Sequence, residues 1–141
     1  MTDVPRIVLD TNVCLDVFVF RDPACAALAA ALREGAVQAV TRADCREEWQ
    51  RVLHYPRLPI DEASRPGLVA AFDAASHVVA PVRPACPLPR CADPDDQKFL
   101  ELAAESGARW LLSKDKEVLR LAARLRRSGL FDILAPGDWS P

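Results

Sequence analysis

Short apolar runs alternate with stretches of helical periodicity from one end of the chain to the other. Arg6 to Asp10 carries Ile7-Val8-Leu9, short, β-branched and closed by a polar cluster, which predicts a buried strand. Pro23 to Glu34 is alanine-rich and predicts a helix that stops at Gly35. Val37 to Thr41 predicts a second strand, and Arg42 to His54 a helix ended by Tyr55-Pro56. Asp61 to Ser76 predicts a further helix, with Pro66 marking a start near it or a kink. His77 to Ala80 is a third strand candidate. Gln97 to Ser106 is helical with Gly107 as its stop, and Arg109 to Ser113 is a strand. Asp115 to Arg127 predicts an amphipathic helix with Val118, Leu119, Ala122 and Leu125 on one face, and Phe131 to Leu134 a last strand. Strands alternating with helices imply an α/β fold, a parallel sheet covered on both faces.

Pro81 to Asp95 breaks the alternation. It holds Pro81, Pro84, Pro87, Pro89 and Pro94, a composition that predicts an extended surface loop within a domain. A length of 141 residues suits one domain spanning 1–141, and a hydrophobic content of 50% is enough for a core. No run is long and apolar enough to cross a bilayer, so no membrane partner is expected. The amino terminus enters an apolar strand almost at once, without a basic start or signal-like run, which suggests a cytoplasmic protein. Five cysteines at irregular spacing make a poor disulfide framework. No C-x-x-C pair occurs, and neither His54 nor His77 offers zinc-finger spacing. Reduced, mostly buried thiols are expected. The net charge of −2 excludes a bulk basic surface, so any phosphate-binding surface must be local.

Against that background, four acids stand beside patterns that could aim them at one point: Asp10, Glu48, Asp96 and Asp115. In an open parallel sheet the ligand crevice lies at the carboxyl ends of the strands. Asp10 ends one strand and Asp115 comes shortly after another. Asp96 stands at a helix start, where the helix dipole favours its negative form. Glu48 projects from the middle of a helix, which must pack beside the first strand. About 100° of rotation separates it from Glu47, so both cannot face one ion equally well. Capping and turn roles explain many such residues, and they explain Asp93 and Asp95 better than ligation does. Carboxylates do not gather cheaply, and a hard divalent cation, Mg²⁺ or Mn²⁺, is the natural compensation if these four meet.

The motifs also occur in a familiar order. Ile7-Val8-Leu9-Asp10-Thr11-Asn12-Val13 resembles the opening strand of PIN-domain ribonucleases. Glu48, in Glu47-Glu48-Trp49-Gln50-Arg51, falls where that family's second acid belongs. Asp93-Pro94-Asp95-Asp96-Gln97-Lys98-Phe99-Leu100 through Ala103 resembles the third motif. Gly107 through Leu112-Ser113-Lys114-Asp115 resembles the fourth. The likeness spans nearly the whole chain and is nearest to the bacterial VapC-like toxins of toxin–antitoxin systems. It implies a three-layer α/β/α domain with about five parallel strands and a four-carboxylate pocket. It also implies Mg²⁺- or Mn²⁺-dependent endoribonuclease activity on an RNA substrate. By the same likeness, Asp10, Asp96 and Asp115 would hold metal and Glu48 would orient or deprotonate the attacking water. A separately encoded antitoxin and a homodimer are further implications. Cys14 and Asp16 depart from a usually more apolar stretch, and the proline-rich loop is long.

Asn12 and Ser113 are candidates to fix the carboxylates by hydrogen bonds, turn and strand-end bonding being the equal alternative. Lys98, Lys114 and Lys116 adjoin the acids and are candidate substrate contacts. Arg120, Arg124 and Arg127 recur at helical spacing, an ordinary solvated face before it is a phosphate track. Trp49, Trp110 and Trp139 are not interleaved with basic residues, which favours packing over base stacking. A phosphoaspartyl hydrolase of the haloacid dehalogenase type needs a second Asp where this chain has Asn12, and a P-loop is absent. The remaining rival is a non-catalytic PIN-like module that binds protein or RNA.

Overall fold

Ile7, Val8 and Leu9 can be apolar without alternation because both faces of their strand are covered. In a computed structural model, which describes residues 3–81 and 87–141, they lie in β1 (Arg6–Leu9) at the centre of a five-stranded parallel sheet. The other strands are β2 (Gln38–Thr41), β3 (Ser76–Val78), β4 (Trp110–Leu112) and β5 (Asp132–Leu134), in the order β3-β2-β1-β4-β5. Ile7 and Leu9 point into one core with Val13, Leu28, Trp49, Phe72 and Trp110. Val8 points into the other, with Leu100, Leu111, Val118, Leu125 and Ile133. The expected three-layer α/β/α architecture is therefore present.

The helices are α1 (Thr11–Cys14), α2 (Ala26–Glu34), α3 (Ala43–Val52), α4 (Arg65–Ala75), α5 (Gln97–Ser106), α6 (Lys116–Leu119) and α7 (Ala122–Ser128). Three departures from the sequence expectations are instructive. Helix α1 and the π-helical turn Leu15–Val19 that continues it have no sequence forecast. Helix α4 starts at Arg65 rather than Asp61, because Pro66 is accommodated in the first turn and Asp61 and Ser64 close a loop by reciprocal bonds of 2.8 and 3.2 Å. The helix forecast over 115–127 breaks at Arg120–Leu121, where Leu121 N–H bonds the Val118 carbonyl at 3.0 Å and tightens the chain. Arg120, the residue after α6, pairs with Glu117 at 3.0 Å, while Arg124 and Arg127 lie on α7, all exposed. The continuous arginine stripe is thus not formed on one helix.

Trp49, Trp110 and Trp139 are all buried, consistent with packing, and Cys14, Cys25, Cys45 and Cys91 are buried and form no bridge among the described residues. Cys86 lies outside the described residues, as does part of the proline-rich loop. No helix among the described residues is long and apolar enough to cross a membrane. Gly107 ends α5 with φ of 68°, and an added Cβ would meet nothing within 4 Å. Gly107→Ala should therefore cost only the backbone strain of a left-handed residue, about 1 kcal/mol. A lower denaturant midpoint at unchanged slope would show it.

Candidate metal centre

The strand order reverses at β1. The chain leaves it toward β2 and β3, then returns on its other side as β4 and β5. The crevice at that switch point opens between the carboxyl ends of β1 and β4. Asp10 follows β1 directly, and its backbone N–H extends the ladder to the Leu112 carbonyl at 2.9 Å. Asp10 stands at the N-cap position of α1 but its side chain does not cap. Its Oδ2 instead accepts the hydroxyl of fully buried Ser113 at 2.7 Å. The same hydroxyl oxygen accepts the Asp115 N–H at 3.0 Å, so one serine couples both strand ends. Asn12 Oδ1 accepts the Lys114 N–H at 3.1 Å and adds a second tie.

Asp115 caps α6 by accepting the Glu117 N–H at 2.8 Å. Asp93 caps the short 3-10 turn Pro94–Asp96 by accepting the Asp95 N–H at 3.0 Å, as its sequence position suggests. That role does not exclude it from the site. Carboxylate oxygens of Asp93, Asp96 and Asp115 all lie within 4.8 Å of one another. Gln97 secures the approach to this group: its Oε1 accepts the Cys91 N–H at 2.8 Å and its Nε2 donates to the Pro89 carbonyl at 3.2 Å. Glu48 enters from α3, where it is half-buried and Glu47 is exposed. Its two oxygens take the Thr11 hydroxyl and the Lys98 ammonium, the latter at 2.9 Å. Lys114 pairs with buried Asp16 at 2.7 Å. Lys116 is exposed and forms no ion pair among the described residues.

The electrostatics reflect crowding. Asp96 is pushed up to about 7, first by burial and then by the Asp10 charge and the contact with Asp115. Asp10 is also raised, by burial above all, with the Glu48 and Asp115 charges adding and the Ser113 bond opposing. An all-carboxylate donor set that holds a proton near neutrality for want of a counter-charge fits a hard divalent cation. A surface groove of about 1060 Å³ lies at the opposite edge of the sheet around Arg6, Gln38, His77 and Arg109, and contains none of these acids.

Sequence position alone pointed to Asp10, Glu48, Asp96 and Asp115. It missed Thr11, whose hydroxyl holds Glu48, and Gln97, whose amide clamps the loop before Asp93. Thr11 carried a faint signal as the middle residue of Asp-Thr-Asn, whereas Gln97 carried none. No curated protein matches the chain at a significant level. PIN domains are in general nucleases that use divalent metal ions. The PIN domain profile matches residues 6–117, across β1, the acidic crevice and the start of α6, and the chain belongs to the PIN-domain family.

Proposed function

We propose that this chain, as one PIN domain over 1–141, is a Mg²⁺- or Mn²⁺-dependent endoribonuclease and the toxin of a toxin–antitoxin pair. The observation that carries the nuclease reading is the under-neutralised carboxylate group at the switch point, with Asp96 raised to about 7. Asp10, Asp96 and Asp115 would hold the ion, with Ser113 and Asn12 fixing the two strand ends that carry Asp10 and Asp115. When bound, a divalent ion supplies polarisation of the phosphoryl oxygen and a lowered pKa for attacking water. Glu48 would orient or deprotonate that water. Attack at phosphorus in line with the bond to O3′ would break that bond, the departing O3′ taking a proton from solvent water, to leave a 3′-hydroxyl and a 5′-phosphate.

Substrate phosphates need cations at the rim of a negative pocket. Lys116 beside Asp115 is the best placed, and Lys114 can contribute by leaving Asp16. The toxin role, an antitoxin partner, a homodimer and a cytoplasmic location rest on the resemblance of the four motifs to VapC-like proteins. The purified chain should cleave a mixed RNA pool in Mn²⁺, stop with EDTA, and leave 5′-phosphate ends. Metal binding without cleavage of any RNA would replace the nuclease with a non-catalytic interaction module.

A further inference from the structure

Both carboxylate oxygens of Glu48 are engaged within the chain. One accepts the Thr11 hydroxyl and the other the Lys98 ammonium. Lys98 comes from the first turn of α5 and Glu48 from α3, so the pair bridges two helices beside the acidic crevice. The ammonium also donates to the Asp95 carbonyl and lies 5.1 Å from the centroid of the Phe99 ring. The Lys98 and Glu48 side chains are only 16% and 17% exposed, which sets them apart from a solvated surface pair. Two of the three ammonium hydrogens are spent, and the ring covers a further side. Little is left with which to grip a phosphate. Among the described residues the acids whose oxygens all lie within 4.8 Å of one another are Asp93, Asp96 and Asp115; neither Glu48 nor Asp10 is in that group, though the Asp10 charge acts on Asp96.

We propose that the Lys98 ammonium is a built-in cation that aims Glu48 and stands where a second divalent ion would neutralise it, so that the pocket takes one ion, on the Asp96–Asp115 side. This rests on the metal-nuclease reading above. The physical reason is exclusion by like charge: a second dication at Glu48 would have to approach a half-buried ammonium already held at 2.9 Å. Lys98 is then a positioning residue that acts through Glu48.

Calorimetric titration of the full chain with Mn²⁺, without RNA, tests this. The wild type should bind one ion, and Glu48→Gln should still bind one with little change in affinity. Lys98→Gln should admit a second ion, lost again in the Lys98→Gln, Glu48→Gln double variant, while Lys98→Arg stays at one. In cleavage assays Lys98→Gln should lower kcat roughly 10- to 100-fold at near-constant KM, with partial rescue by Lys98→Arg. Two ions on the wild type, one of them lost in Glu48→Gln, would overturn the proposal, and that comparison holds even if Lys98→Gln fails to fold. A single ion on a folded Lys98→Gln, or a rise in KM alone, would overturn it too. No ion on the wild type would instead sink the metal-nuclease reading itself.

Discussion

Asp96→Asn should lower Mn²⁺-dependent RNA cleavage by roughly a thousandfold, the several kcal/mol that a well-held metal contributes. The same substitution should raise the melting temperature of the metal-free protein. The two effects share one cause. Asp96 is crowded by burial, by the Asp10 charge and by Asp115, and its carboxyl stands at about 7 in the folded chain against 3.8 ordinarily. A group raised in this way contributes stability that is complete below the unfolded value and is lost as pH rises through about 7. The metal-free wild type should therefore lose stability between pH 5 and pH 8, the part due to Asp96 disappearing in the Asn variant. Asp10 is shifted in the same direction, so some slope should remain. Thermal melts in EDTA at the two pH values, beside cleavage in Mn²⁺, make the measurement. A variant that is less stable at both pH values and still cleaves would assign Asp96 to structure.

The second large effect concerns Arg42, which lies outside the crevice. It is buried at 9% exposure just after β2 and joins α3 to α5. Its guanidinium binds Asp44 at 2.9 and 2.7 Å, Glu101 at 3.0 Å and both oxygens of Glu105 at 3.0 Å. The Glu105 side chain is 8% exposed, so removing the cation strands a carboxylate with little water to take its place. Breaking such a pair from one side costs about 3–5 kcal/mol. Arg42→Ala should lower the melting temperature by roughly 10 °C or more in a chain of this size. Adding Glu105→Ala should recover part of the loss, because the stranded charge goes too. A loss under about 1 kcal/mol would class the network with solvent-screened surface pairs.

Much of the fold is legible in local pattern. Helix α5 begins and ends where its apolar spacing and Gly107 say it should, and all five strands fall within a residue or two of their apolar runs. Strand-end positions made Asp10 and Asp115 visible for the same reason, since a parallel sheet sends the ends of its strands to one edge. Where local pattern failed, a contact across the fold decided the outcome. Helix α1 is held by Val13 and Cys14 packing under the sheet, and the break at Arg120–Leu121 lets both Val118 and Leu125 reach the core.

The sequence by itself determined the layers and the parallel sheet and made Asp10, Glu48, Asp96 and Asp115 visible as candidates, because hydrophobic periodicity and strand-end position are properties of neighbouring residues. Only the tertiary structure decided that Ser113 couples Asp10 to Asp115 across 103 and 2 residues, and that Asp93 joins Asp96 and Asp115 while capping its own turn. It alone decided that Lys98, beside Asp96 in sequence, reaches 50 residues back to Glu48. Charges and hydrogen bonds act through space over a few ångströms, so their partners are chosen by the packing of α3 and α5 around the β1–β4 crevice and not by order along the chain.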